Sequence, residues 1–395
     1  MRRYAPHFII LVGLIARLVL SPHQGHRGDE EAFGLWLGQL MDCGLADFYS
    51  ESECNYPPIW PYILWLMGHG AKALGLSLVA GDPLYRVMLK LPQILADVAI
   101  CYLVWWQFLR SMSRRAELAW CAFIALNPAL IFISAIWCQT DPLLALAIVG
   151  AVVAYARERP AVAVSCAALS ILVKPLALPV IPVLLVAVWR KHGPPATLWA
   201  IACAAVVTVA VMLPMNVHQP ATLLVDLCTK TADWFGYSSL NAFNVWSFTG
   251  FFESHHRVAL GLPHVVWGML LFGAAYVLTL LLVWRRHDLT GLLAGLALAQ
   301  LAFFLLPTMI HERYIHLPVV LVLLWAVQDA WVIPGALILA VTATLNFHYR
   351  VRVPGIELLG RLQDAGIVAV VCSIANLAVF VYLGTVARRR SCASE

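Results

Sequence analysis

The sequence predicts an all-α polytopic membrane protein, and three observations carry that prediction. Hydrophobic side chains make up 62% of the 395 residues, mean hydropathy is +0.82 and 12% of residues are charged, well below the roughly 25% of an ordinary soluble domain. Apolar stretches approaching the ~20 residues that cross a bilayer recur from one end of the chain to the other. Between them, Arg and Lys gather on alternate connections, as the positive-inside rule requires of a fixed topology. The same figures exclude disorder, which needs low hydrophobicity and high net charge. A formal charge of +5 is too small and too dispersed for nucleic-acid binding, so the partner implied is the lipid bilayer.

Taken in order, the apolar runs place about twelve spanning helices, within a range of roughly ten to thirteen. They lie near residues 7–20, 86–109, 118–136, 142–156, 161–173, 176–189, 196–213, 264–284, 289–306, 314–328, 331–346 and 365–386. Lys174-Pro175 interrupts the fifth and sixth, which read as a broken helix pair or a re-entrant segment. With both termini cytoplasmic, the inner side receives Arg2, Arg3, Arg110, Arg114, Arg115, Arg157, Arg159, Arg190, Lys191, Arg285, Arg286, Arg388, Arg389 and Arg390. The outer side receives two long loops, 21–85 and 214–263, whose acids include Asp29, Glu30, Glu31, Asp47, Asp82, Asp226 and Asp233. Residues 1–395 thus form one integral membrane domain whose polar chemistry sits outside. The run His7–Leu20 resembles a signal peptide, but Arg17 interrupts it and Ser-Pro-His-Gln-Gly is a poor cleavage site, so it reads as an uncleaved span. Arg far outnumbers Lys, the usage of a GC-rich bacterium, and the membrane expected is a bacterial inner or plasma membrane. Cys43 and Cys54 share the first outer loop, where a bridge is open to them.

The outer loops carry the chemistry. Directly after the first span, Gly28-Asp29-Glu30-Glu31 opens an amphipathic helix along the membrane surface, with Asp29 near its N-cap. Capping alone accounts for one acid; three in a row exceed it. A carboxylate at the bilayer edge is placed to take a proton from an acceptor hydroxyl, which makes Asp29, and next to it Glu30, the catalytic candidates, with Glu31 a substrate contact. Tyr56-Pro57-Pro58 then holds the chain extended before a further juxtamembrane helix, and Tyr56 reads as a wall of the cavity. Arg86 and Lys90 open the second span and suit either an anion or simple snorkelling, while Asp97 within it must pair or meet water.

Three further stretches end on the same side. Gln139 and Asp141 sit in a short turn, Asp141 placed as an N-cap before Pro142. Lys174 is an ammonium between apolar runs, costly without an anionic partner. His311, Glu312 and Arg313 open the tenth span; a guanidinium fork and an imidazole suit a phosphate or diphosphate. The aromatic stretch Asp233-Trp234 to Trp246, with Asn241 and Asn244 interleaved, reads as an interfacial belt or as a polar wall for a sugar or lipid chain.

In that order these motifs resemble the GT-C superfamily of integral-membrane glycosyltransferases, which use polyprenyl-phosphate sugars. GDEEAF, YPPI and RVMLKLPQILADVAI resemble the ER glucosyltransferases that extend dolichol-linked oligosaccharides. NPALIFISAIWCQTDPLLAL, LVKPLAL, NAFNVWSF and MIHERYIHLP resemble bacterial, mannosyltransferase-like relatives, and the likeness runs to about Pro318. It implies a lipid-phosphate sugar donor on the outer leaflet and an inverting transfer with Asp29 as general base. It also implies donor-phosphate binding by the turn of His311, Glu312 and Arg313, with Lys174 a further candidate; from the residues themselves, Arg86 is a further phosphate candidate and Glu312, Gln139, Asp141, Asn241, Asn244 and Trp246 are candidate substrate contacts. Arg313 stands where the ER enzymes tend to have Lys, and Glu30 beside Asp29 resembles the mannosyltransferase-like enzymes, so sugar and subfamily stay open.

The chemistry coheres by itself. Sugar transfer passes through an oxocarbenium-like transition state as phosphate leaves, so it needs a carboxylate near the acceptor and cations near the leaving group. A departing phosphate is already anionic, so no metal cofactor is required, although paired acids near phosphate leave a divalent ion open. The function expected is transfer of a hexose from a polyprenyl-phosphate donor to a hydroxyl of a cell-envelope glycan, a glycolipid or a protein. The alternatives are a lipid-diphosphate glycan ligase or polymerase and, further off, a secondary transporter, which would concentrate charge near mid-membrane and show repeat symmetry.

Overall fold

Long runs of Leu, Val, Ala and Ile can satisfy their backbone in lipid only as helices, and the chain is a succession of them. The structure, a computed structural model, describes residues 4–76, 79, 81–215, 222–223, 225–227, 229, 235–353, 357–364 and 366–392, without the side chains of 357–359 and 390–392. Arg2, Arg3, Asp233 and Trp234 lie outside the described residues. Two compact units divide the chain, 1–177 with 198–231 and 178–197 with 232–395.

The first unit holds α1 (Ala5–Leu20), α2 (Arg27–Glu51), α3 (Ile59–Ala73), α4 (Pro83–Val104), α5 (Arg114–Ala125), α6 (Pro128–Ile131), α7 (Asp141–Ala156) and α8 (Pro160–Val173). α4 and α6 continue into wide π turns at Trp105–Leu109 and Phe132–Trp137. α9 (Val180–Met212) is broken at Gly193, at φ +80° a backbone that suits glycine, ahead of Pro194 and Pro195. Its two halves coincide with the sixth and seventh expected spans and fall one in each unit. The Lys174-Pro175 interruption is resolved as the end of α8, with Lys174 extended and a single 3₁₀ turn at Pro175–Ala177 following.

The second unit holds α10 (His264–Arg285), α11 (Leu289–Leu305), α12 (His316–Gln328), α13 (Ile333–Arg350), α14 (Glu357–Asp364) and α15 (Ile367–Cys392). α11 and α12 are buried nearly all round, whereas α10 leaves Met269, Leu270, Val277, Leu278 and Leu281 exposed, an apolar face stable only against lipid or protein. Short strands interrupt the helices: β1 (Ser239–Leu240) pairs in parallel with β4 (Ile310–His311), and β2 (Val258–Ala259) with β3 (Leu262–Pro263) as a hairpin. No strand was expected here.

Every apolar run read from the sequence overlaps a helix. Among the described residues, six segments are long and apolar enough to cross a membrane: Pro83–Leu109, Arg114–Trp137, Val180–Met215, His264–Arg285, Ala330–Arg350 and Ile367–Arg389. Shorter apolar helices stand at Ala5–Leu20, Asp141–Ala156, Pro160–Val173 and Leu289–Leu305. The protein is a polytopic helical membrane protein. Arg17, the charge that interrupts the first span, is 1% exposed and donates from Nε to Asp97 Oδ2 at 3.0 Å, while Nη1 donates to the carbonyls of Gly13 and Ala125. The two intramembrane charges thus satisfy one another and tie α1 to α4.

Candidate functional site

The start of α2 carries the acidic cluster, and its details differ from the expectation. The N-cap is His26, with Asp29 close to it as the third residue of the helix: the Asp29 amide donates to His26 Nδ1 at 3.3 Å. Capping by imidazole leaves the Asp29 carboxylate for other contacts. Trp137 Nε1 donates to Asp29 Oδ2 at 2.9 Å, and His26 Nδ1 lies 3.1 Å from the same oxygen. The His26 and Trp137 rings stack at 5.9 Å with 24° between planes. This packing depends on Gly25, since a Cβ there would overlap the carbonyl oxygens of Ile136 and Trp137. The His26 amide also donates to the Trp137 carbonyl at 3.3 Å. At 17% side-chain exposure Asp29 is neither sequestered nor freely solvated.

Glu30 turns the other way. It accepts from the Gly25 amide at 2.7 Å and lies 3.4 Å from Arg86 Nε and 3.5 Å from Lys90 Nζ. Lys90 is fully buried and donates to the carbonyls of Ser21 and His23, and Tyr85 OH donates to the Glu30 carbonyl at 2.9 Å. Glu30, Arg86 and Lys90 therefore form a clamp between α4 and the segment before α2. Lys90 is buried rather than snorkelled, and the Arg86 fork is engaged with Glu30 and with the Pro22 carbonyl. Glu31 pairs with Arg27 one turn back in an exposed position, where solvent and salt screen such a pair.

A second buried cluster gathers Tyr56, Gln139, Asp141 and Lys174. Lys174 Nζ donates to Asp141 Oδ2 at 2.9 Å and to Gln139 Oε1 at 3.0 Å, Tyr56 OH donates to the same Gln139 oxygen at 3.1 Å, and the ammonium sits 5.4 Å from the Tyr56 ring. Asp141 does not cap α7, as its place before Pro142 suggested; Thr140 holds that position without a side-chain bond. The anionic partner that Lys174 required is a carboxylate of this chain. Cys43 and Cys54 are both free thiols, and burial pushes Cys54 up to about 12 and raises Cys43.

In the second unit, parallel pairing of β1 with β4 sets His311 beside Leu240, and Met309 donates its amide to the Tyr237 carbonyl at 2.9 Å. Arg313 lies 3.5 Å from His311 Nδ1 and 3.6 Å from Glu312 Oε1, with Phe235 edge-on to His311 at 4.5 Å. The residues of the aromatic stretch are bonded to the surrounding backbone. Asn244 accepts from the Trp246 amide and donates to the Phe304 carbonyl, Trp246 donates to the Leu306 carbonyl and stacks on His264, and the Asn241 carbonyl accepts from Asn346. Asn346 and Asn376, which the sequence reading did not single out, hold the Phe243 backbone from α13 and α15.

Reading the sequence also missed His26, Trp137 and Tyr85, although His26 three residues before Asp29 is the spacing of a cap and its N3 partner. Among the described residues no group of three or more His, Cys, Asp or Glu is placed to hold a metal ion.

The helical architecture is one already seen in a solved structure. The comparison behind that statement is the crystal structure of ArnT from Cupriavidus metallidurans bound to undecaprenyl phosphate. It superposes with a TM-score of 0.53 at 14% identity, over 95% of this chain and 75% of that one. No protein-family model matches the chain, and no curated protein matches it.

Proposed function

We propose that the protein is an inverting glycosyltransferase that moves a hexose from a polyprenyl-phosphate donor to a hydroxyl of a glycan, glycolipid or protein acceptor. Its place is a bacterial inner membrane, with both termini cytoplasmic and transfer at the outer face. The observation that carries this reading is the fold shared along 95% of the chain with a protein whose crystal structure holds undecaprenyl phosphate.

The residues divide the work as follows. Asp29, held at Oδ2 by Trp137, takes the proton of the acceptor hydroxyl as the new bond to the sugar forms. The bond from sugar to phosphate breaks on the opposite face, its electrons passing to the phosphate oxygen, and the anomeric configuration inverts. Such a base contributes on the order of 10²- to 10⁴-fold. Arg313 and His311 supply cationic contacts to the donor phosphate. Glu30, Arg86 and Lys90 position Asp29 by fixing the start of α2, and Lys174 with Asp141 shapes the Tyr56–Gln139 wall.

Membranes carrying the protein, supplied with radiolabelled polyprenyl-phosphate hexoses one at a time, test the reading. One hexose should be transferred with inversion, and Arg313→Gln should raise the donor KM about tenfold, the effect of losing one ionic contact of about 1.4 kcal/mol. Failure of every polyprenyl-phosphate hexose, with transfer from a lipid-diphosphate sugar, would replace this reading by the ligase or polymerase.

A further inference from the structure

From the contacts around Asp29 we infer that His26 is the exit for the proton Asp29 takes up, with Trp137 holding the carboxylate in register for both transfers. This rests on the reading of Asp29 as the base. A carboxylate that has accepted the hydroxyl proton is neutral, and the next turnover cannot start until it is ionised again. The proton therefore needs a path that the leaving phosphate and its lipid chain do not block.

The neighbours of Asp29 narrow that path. On its own helix, Glu30 is engaged with Arg86 and Lys90, and Glu31 with Arg27. From α4, Tyr85 donates its hydroxyl to the Glu30 carbonyl, and in the preceding loop His23 gives its carbonyl to Lys90. From the turn after Trp137, the Cys138 thiol is buried, and burial raises its pKa, so it already holds its proton. His26 differs: Nδ1 stands 3.1 Å from Asp29 Oδ2, and its side chain is 23% exposed.

The two contacts of Nδ1 correspond to two protonation states. Bearing a lone pair, it accepts the Asp29 amide at 3.3 Å; protonated, it donates to Oδ2 at 3.1 Å. The cycle balances. The carboxyl proton passes to Nδ1, the imidazolium releases its Nε2 proton to water, and exchange with water restores the tautomer with the lone pair on Nδ1. Stacking on Trp137, at 5.9 Å with 24° between planes, keeps the imidazole ring over the carboxylate. His26 touches neither donor nor acceptor in this scheme and acts through Asp29, as a positioning and relay residue.

Asn is a better N-cap than His, so His26→Asn keeps the helix start while removing the relay. With the purified full-length protein and its radiolabelled donor, H26N should melt like the wild type and keep the donor KM. Its kcat should fall about ten- to a hundredfold, with the acid limb of the pH profile displaced, and added imidazole should recover most of the loss in His26→Ala. Wild-type kcat and an unchanged profile from pH 5.5 to 8.5 in H26N, with Asp29→Asn inactive, would overturn the relay and leave the base intact. Transfer retained by D29N would instead remove the base and the relay together.

Discussion

Gly25 shows how one missing methyl group organises a site. Its Cα approaches the Ile136 and Trp137 carbonyls so closely that alanine must push the 22–26 segment away, and the pushed segment carries His26, the Glu30 partner amide and the cap of α2. Gly25→Ala should therefore cost about 1–3 kcal/mol, the range for overpacking, seen as a lower melting temperature in detergent together with reduced transfer. Cys54 gives a prediction with a definite sign. Burial holds its pKa near 12 against an ordinary thiol value of 9.0, so above pH 9 the unfolded chain releases a proton that the folded protein keeps. Stability must then fall as pH rises from 9 toward 12. The slope over that window should be shallower in Cys54→Ala, measured by denaturation at fixed pH. Below pH 9 the two proteins should show the same pH dependence.

At the scale of elements, the ion pairs decide which helices are fixed. Arg17–Asp97 joins α1 to α4, and Asp141–Lys174 joins the start of α7 to the end of α8, all of them buried. Removing one partner leaves a lone charge in an apolar interior, about 3–5 kcal/mol, whereas an apolar pair of similar volume is often neutral. Arg17→Met should thus sharply reduce folded protein, and the double change Arg17→Met, Asp97→Leu should recover most of it, read by size-exclusion profile and melting. These pairs mark where the sequence stops being readable. Hydropathy located every spanning run because lipid acts on each segment separately. It says nothing about which buried charge meets which, since Arg17 and Asp97 are eighty residues apart and only packing sets them face to face. The same holds for Glu30: three acids in a row looked like a shared site, yet one helical position sends Asp29 toward Trp137 and the next sends Glu30 into the Arg86–Lys90 clamp. Asn244 and Trp246, polar and aromatic in a loop, are bonded to nearby backbone, and composition by itself does not give such partners.

For the whole molecule, the apolar exposed face of α10 and, among the described residues, six long apolar segments place the protein in a bilayer, and the fold shared with ArnT is the frame in which the proposed transfer is tested. If the polar loops lie outside, a cysteine introduced at Ser52 in a variant lacking other reactive cysteines should react with a membrane-impermeant maleimide added to intact cells. One introduced at Arg159 should react only after the membrane is opened. The central claim is that Asp29 serves chemistry rather than binding. Purified wild-type and Asp29→Asn protein, compared side by side for donor binding and for transfer under single turnover, tests it most directly. The account predicts equal donor affinity with transfer reduced at least about a hundredfold in the variant; transfer at the wild-type rate, or donor binding lost in proportion, would contradict it.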